Sequence, residues 1–454
     1  MSTPLRTAPG SFVWGVATAA CQIEGAAARD GKGPSTWDVF SARPGATFAG
    51  HTPAVACDHY GRLDEDLDLL QRLGVDAYRF SISWPRVLPD GRGAANSRGL
   101  DFYSRLVDGL LRRGIRPYAT LFHWDAPQAL DELGGFGHPD SPSWFADYAS
   151  LVARALEDRV KHFFTLNEPH AFIEGGLRHG RHAPGRQLPL ADVLQAAHHA
   201  LLAHGDAVRV LRAQVSDAWI SWAPVLVGSC PADPNDPADV AAAERATFGL
   251  TSDALRSTAF WMDPVYLGHY PEESERVFGA AFPRIGTGDM ERIRAPLDAC
   301  SFNLYDFGRV RAGRDGAPEV VPFPVGSPRT AFNWPITPEA HFWGPLWAWQ
   351  RYGLPVLIAE NGLSCRDWVH LDGRVHDGDR VDFLKRHLNE LARARRAGVP
   401  VLGYFHWSLL DNFEWNHGYR ERFGLVHVDF ETLVRTPKDS FHAYAAHIAD
   451  ARSS

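Results

Sequence analysis

The sequence predicts an α/β fold, a single (β/α)8 TIM barrel with extended loops at the C-terminal face of its strands. Three observations lead there. Eight apolar runs of strand length are spread along the whole chain, mostly continuous rather than alternating, as for parallel strands buried on both faces. Between them lie longer segments whose apolar residues recur at three- and four-residue spacing. Glycines stop several of these segments shortly before the next strand begins. Strands alternating with helices in this number close into a barrel.

Phe12–Thr18 opens the series, and Gly74 stands before the second strand, Val75–Ile82. Leu100, Tyr103, Leu106, Val107, Leu110 and Leu111 then mark one face of a helix that Gly114 can stop, ahead of Ile115–Phe122. Lys161–Leu166 and Ala218–Ala223 are the fourth and fifth strands. Asp236-Pro237 before an Ala-rich run is an N-cap followed by proline at the first helical position. Ala299–Leu304 is the sixth strand. The stretch 305–337, with its Pro and Gly, is too long for a plain βα loop and is expected to be an insertion over the active face. Pro355–Ala359 is the seventh strand. Val381, Leu384, Leu388 and Leu391 mark the helix after it, and Gly398 precedes the eighth strand, Val401–Phe405. No internal repeat, long linker or low-complexity tail interrupts the pattern, so one catalytic domain is expected over 1–454.

At about 150 residues per domain, 454 residues suggest three domains, but one barrel with insertions can pass 400. With 45% apolar and 22% charged residues the composition is that of a soluble globular protein. The net charge of −8 argues against nucleic acid as a main partner. No apolar run approaches the roughly 18 residues of a membrane span. The N-terminus lacks the apolar core of a signal peptide. Five scattered cysteines (Cys21, Cys57, Cys230, Cys300, Cys365), with no CxxC, exclude a disulfide framework and a Cys-rich zinc site. They fit a reducing, cytoplasmic setting. There are 15 Trp and 26 Phe, and several Trp stand beside His or Glu (His123-Trp124, His406-Trp407, Glu414-Trp415). An indole next to hydrogen-bonding groups suits the apolar face and hydroxyl rim of a sugar ring, although core packing is the commoner use of Trp.

Function in such a barrel sits at the C-terminal ends of the strands. Asn167-Glu168-Pro169 follows His162-Phe163-Phe164-Thr165-Leu166, and Glu360-Asn361-Gly362 follows Val356-Leu357-Ile358-Ala359. A glutamate in a loop is usually a solvated carboxylate. Two that close the fourth and seventh strands of one barrel stand together at its catalytic rim. Glycosidic bond cleavage uses such a pair: one carboxyl protonates the leaving oxygen and the other attacks or activates water. Gln22 and Glu24 follow the first strand, and Arg79 lies in the second. His123-Trp124-Asp125 follow the third, and Asn303 and Tyr305 close the sixth. His406-Trp407 follow the eighth, with Asp411, Glu414 and Trp415 beyond. A lone His123 is more often structural than functional. A buried Arg79 needs a carboxylate partner in either case.

Several ordered motifs resemble glycoside hydrolase family 1, the retaining β-glucosidases, from Phe12 to about Asp429. They are Phe12-Val13-Trp14-Gly15-Val16-Ala17-Thr18 through Gln22-Ile23-Glu24-Gly25, Tyr78-Arg79-Phe80-Ser81-Ile82-Ser83-Trp84, Thr165-Leu166-Asn167-Glu168-Pro169, Ile358-Ala359-Glu360-Asn361-Gly362 and Trp407-Ser408-Leu409-Leu410-Asp411-Asn412-Phe413-Glu414-Trp415. The resemblance implies Glu168 as general acid/base and Glu360 as nucleophile. It implies Arg79, Asn303 and Tyr305 as the groups around the nucleophile. Gln22, His123, Trp124, Asn167, Glu414 and Trp415 would hold the glycone, with Trp407 as its stacking floor. Trp334 would flank the aglycone, and Phe423 is a further substrate-binding position. The partners implied are small-molecule β-glycosides, and no metal or organic cofactor is needed. Whether the chain forms a homo-oligomer stays open. The chain departs from the family pattern at His170, Leu177 and Leu304 and in the aromatic run His341–Trp349, and these departures bear on aglycone preference.

The implied activity is β-glucosidase, with some β-galactosidase or β-fucosidase activity, by double displacement. The carboxyls would lie about 5–5.5 Å apart. Three alternatives share the fold: a 6-phospho-β-glycosidase, a transglycosylase and a non-catalytic sugar-binding member. Glu414 argues against the first, because its carboxylate would repel a phosphate dianion. Both glutamates argue against the last. A thioglucosidase is disfavoured, since that branch lacks the acid that Glu168 supplies.

Overall fold

The computed structural model describes residues 12–251 and 255–453. Eight parallel strands form its centre: Val13–Ala17, Ala77–Ser81, Arg116–Phe122, His162–Asn167, Trp219–Ala223, Cys300–Asn303, Val356–Asn361 and Val401–Trp407. Each falls on one of the apolar runs. The eighth extends through His406 and Trp407, which the sequence had placed just beyond it. The strands pair in the order five-four-three-two-one-eight-seven-six. The ring closes between the fifth and sixth strands without a regular ladder. Asn303 N–H donates to Pro224 O at 2.8 Å, and Leu226 N–H donates to Asn303 O at 2.9 Å. At the other end Asp298 N–H donates to Ile220 O at 3.0 Å, so the seam is held at both ends.

The interior is packed by Val13, Ala77, Tyr118, Phe164, Leu357 and Phe405, all buried. Small and large residues oppose one another there. A Cβ on Gly15 would sit 2.3 Å from the Phe405 ring, so the glycine makes room for the aromatic. Outside, helices lay apolar faces on the strands. Ser97–Arg112 buries Tyr103, Leu106, Val107 and Leu110 of the predicted face together with Phe102, while Leu111 is exposed and Leu100 half-buried; Gly378–Arg396 buries Phe383, Leu384, Leu388 and Leu391. Leu63–Leu73 ends at Gly74, whose φ of +76° caps the helix in the left-handed region. Asp236 caps Pro237–Phe248 by accepting from Ala238 N–H at 2.9 Å.

The stretch 305–337 is not loop alone. Gly308–Ala312 and Pro318–Val320 form an antiparallel hairpin, and the former also pairs with Ser229–Pro231. Gly308–Ala312 buries only Val310, so it carries no apolar run to mark it as a strand. Asp315-Gly316, with Gly316 at φ +79°, lies in the turn and is the hairpin signal that was present. Beyond the eighth strand, Asp411 accepts from Gly424 N–H at 2.9 Å, Lys438 Nζ at 2.7 Å and Arg422 Nη1 at 2.7 Å. This buried cluster ties down the loop that delivers Glu414, Trp415 and Phe423. No helix among the described residues is long and apolar enough to cross a membrane.

Candidate active site

The C-terminal ends of the strands open into a cavity of about 620 Å³, and Glu168 and Glu360 both line it. Glu168 stands one residue past the fourth strand, where its N–H donates to Ala223 O at 2.8 Å. Its φ is +43°, and Trp124 and Trp415 in the same cavity have φ of +76° and +51°. Left-handed backbone at three non-glycine residues costs about 1–3 kcal/mol each, and such strain gathers at functional sites. Glu360 lies inside the seventh strand, in register with Asn303 of the sixth.

Four side chains bind the two carboxyls into one network. Arg79 Nη1 donates to Glu360 Oε1 at 2.5 Å, and Tyr305 OH donates to Glu360 Oε2 at 2.9 Å. Arg79 Nη2 donates to Asn167 Oδ1 at 2.7 Å, and Arg79 Nε donates to Thr120 Oγ1 at 3.1 Å. The guanidinium also lies over the Phe164 ring, 4.8 Å from its centroid. Asn303 Nδ2 donates to Asn167 Oδ1 at 3.1 Å and to Glu168 Oε1 at 2.8 Å. Because Asn167 Oδ1 accepts from both, Asn167 Nδ2 is the donor to His123 Nε2, 3.0 Å away. His123 is then neutral, and burial beside Arg79 pushes its pKa well down.

The two carboxyls differ in their protons. Burial and the Glu360 charge push Glu168 up to about 7, against the pull of Asn303. Burial raises Glu360 too, but Arg79 and Tyr305 pull it back. The first proton to leave therefore comes from Glu360, and the second is held on Glu168. Burial, then Glu360, raises Glu414 to about 8. Near neutrality Glu414 therefore keeps its proton for the most part, and the cavity's negative charge rests on Glu360, paired with Arg79.

Aromatic rings line the rest. His123 stacks on Trp407 at 5.6 Å, and Trp124 packs on Trp415 at 4.4 Å. Trp124 Nε1 donates to Asn167 O at 3.0 Å. Gln22 lies behind this inner end: its Nε2 donates to Phe413 O at 2.9 Å and Glu414 Oε2 at 3.2 Å, while its Oε1 is buried without a protein partner. Toward solvent, Trp334 stacks on Phe332 at 4.8 Å, and Phe423 packs on Phe332 at 5.7 Å. His170 also lines the cavity, and Leu304 is buried behind it.

Of the predicted site residues, Arg79, Asn303 and Gln22 stand behind the cavity wall and the others line it. Other polar residues near strand ends serve structure. Glu24 Oε2 accepts from Arg86 Nε at 2.7 Å, and Glu24 Oε1 accepts from Tyr103 OH at 2.7 Å. Asp411 belongs to the buried cluster, Asp125 is buried outside the cavity, and His406 faces Tyr404 and Tyr444. Sequence reasoning missed Phe332, Arg256 and Asp306, which line the outer half. The aromatic pair Phe332 and Trp334 within the insertion was a signal for Phe332 alone.

A (β/α)8 barrel with a buried carboxyl pair at its C-terminal rim, set in an aromatic cavity, is the architecture of a glycoside hydrolase. Residues 5–452 match the model of Glycosyl hydrolase family 1, and the chain belongs to that family. It is 41% identical over 439 residues to Beta-glucosidase A of Thermotoga maritima, covering 96% of both chains. It is 40% identical to the Bifunctional beta-D-glucosidase/beta-D-fucosidase of Bifidobacterium breve, covering 97% of this chain and 98% of that protein. The solved structure of the Thermotoga maritima beta-glucosidase in complex with glucoimidazole superposes with a TM-score of 0.87 at 40% identity, over 98% of this chain and 99% of that one.

Proposed function

We propose that the chain is a retaining β-glucosidase, with some β-galactosidase or β-fucosidase activity, acting as one catalytic domain in the cytoplasm. The observation that carries this reading is the split between the two carboxyls: Glu360 is paired with Arg79 and Tyr305, whereas Glu168 keeps its proton to about pH 7. Glu360 attacks the anomeric carbon while Glu168 protonates the leaving oxygen. Esterification removes the Glu360 charge, so the repulsion that kept Glu168 protonated falls away. Glu168 then takes a proton from water, which attacks the glycosyl-enzyme and releases the sugar with retained configuration. Trp407 would be the floor under the glycone, and Gln22, His123, Trp124, Asn167, Glu414 and Trp415 would meet its hydroxyls. Trp334 and Phe423 would flank the aglycone.

Glu414 supports glucosides over 6-phosphoglucosides, since its carboxyl can hydrogen-bond hydroxyls and, once ionised above about pH 8, would repel a phosphate dianion. A panel of nitrophenyl β-glycosides tests the reading. Turnover of the β-glucoside, with lesser turnover of the β-fucoside and β-galactoside, is expected. Cleavage of 6-phosphorylated glycosides alone, or of none, would overturn it.

A further inference from the structure

Leu304 sits between two residues that touch opposite carboxyls. Asn303 donates to Glu168 and Tyr305 donates to Glu360. The Leu304 side chain is buried away from the cavity, yet its peptide is held on both sides. Leu304 N–H donates to Glu360 O at 2.9 Å, and Leu304 O accepts from Asn361 Nδ2 at 2.8 Å. The Asn361 amide is itself oriented: its Oδ1 accepts from Tyr404 OH at 2.9 Å. Asn361 and Tyr404 are 0% exposed, and neither lines the cavity. The backbone of the neighbouring strand supplies only the first of the two Leu304 bonds, because its pairing with the sixth is irregular between Ile358 and Glu360, and the Leu304 carbonyl is left to the Asn361 side chain.

We propose that Asn361 and Tyr404 are positioning residues, a clamp on the Leu304 peptide that sets Asn303 against the acid/base and Tyr305 against the nucleophile. This rests on the roles given above to Glu168 and Glu360. An amide can clamp a carbonyl only with its nitrogen turned toward it, and the Tyr404 hydroxyl enforces that orientation. Without the hydroxyl the amide is free to turn, and it then sets oxygen against oxygen. Burial pushes the Tyr404 phenol up, so it stays a donor.

The clamp has a pH signature. Asn303 and Tyr305 each donate to a carboxylate, so each lowers its partner's pKa. Weakening both contacts raises both pKa values. The active form needs Glu360 ionised and Glu168 protonated, so both limbs of the pH profile move to higher pH. The other charged groups facing the pair, Arg79, Arg256 and Glu414, are untouched by the substitutions.

The test compares Asn361→Ala, Tyr404→Phe and a control, Tyr148→Phe. Tyr148 is equally buried and donates to Ile82 O at 3.0 Å and Leu121 O at 2.8 Å, outside the cavity. kcat and KM for 4-nitrophenyl β-glucoside are measured against pH, with circular dichroism and Tm for folding. Asn361→Ala should lose kcat on the order of 10-fold, through a sub-ångström displacement of two contacts, with KM little changed and both limbs moved upward. Tyr404→Phe should move the same way by less, and Tyr148→Phe should lose stability with an unmoved profile. Limbs unmoved in folded Asn361→Ala and Tyr404→Phe would overturn the proposal. So would a Tyr148→Phe profile shifted as far as that of Tyr404→Phe. If Asn361→Ala does not fold, Tyr404→Phe decides. Wild-type protein without activity on the glucoside would instead overturn the functional reading.

Discussion

Arg79→Met tests the division of labour between the two carboxyls. In the working form the pair holds one proton, on Glu168 and not on Glu360. Arg79 biases that choice, because its Nη1 lies 2.5 Å from Glu360 Oε1 while the contact to Glu168 comes from Asn303. A hydrogen bond to a charged group is worth about 1.5–3 kcal/mol, so removing it shifts the ratio of active to inactive proton placement roughly 10–150-fold toward Glu360. Methionine approximates the buried stem and supplies no charge. Arg79 does not line the cavity, so KM should change less than kcat. Raising the pH should not restore activity, since the pair's remaining proton is then lost altogether. The assay is kcat/KM on 4-nitrophenyl β-glucoside between about pH 4 and 9, with folding checked by circular dichroism. A kcat/KM profile unchanged across that range would refute the argument, because Arg79 would then not bias the proton. Full recovery at high pH would also refute it, because the two carboxyls would then titrate independently.

Trp407→Ala should raise KM and lower kcat, with kcat/KM down on the order of 10²-fold, because the ring is no longer held facing Glu360; an unchanged kcat/KM on the glucoside would return Trp407 to core packing. The basic limb of the wild-type kcat/KM profile should fall near pH 7, where Glu168 loses its proton; a limb that stays flat to pH 9 would contradict the assignment. Asp411→Asn should destabilise by about 3–5 kcal/mol, toward the lower end because Lys438 keeps Asp367 at 2.5 Å. Although burial raises it, Lys438 and Arg422 hold Asp411 down at about 2. Its contribution is therefore complete above the unfolded value near 4 and lost as pH falls through about 2. Urea unfolding across that range should show a flatter pH dependence in the variant, and an equal dependence would contradict the pairing.

The barrel was legible because each strand is buried on both faces and so leaves an unbroken apolar run. The carboxyl pair was legible for a related reason: a glutamate closing such a run has only the strand end to occupy. The contact between Arg79 and Glu360 spans 281 residues, so the sequence supplied the need for a partner without naming it. Glu24 and Asp411 look like site residues by the same rule, and only the fold reveals that Arg86 and Lys438 claim them. The hairpin at Gly308–Val320 escaped because arginines alternate with its few apolar residues on a mostly solvated surface. Phe332, Arg256 and Asp306 come from loops, which carry no periodicity, and meet only when the barrel closes.

The most direct test of the two-carboxylate account is Glu168→Gln with two leaving groups. General acid help is typically worth about 10²–10⁴-fold, so cellobiose, whose sugar alkoxide cannot leave unprotonated, should slow by something in that range. Dinitrophenolate needs no proton, so the dinitrophenyl glucoside should glycosylate Glu360 at nearly normal rate. Deglycosylation lacks its base, and the intermediate should accumulate. A burst of dinitrophenol, with one glucosyl unit added to the peptide that contains Glu360, is the predicted result. Equal slowing of both substrates with no adduct on that peptide would contradict the assignment of Glu168 and Glu360.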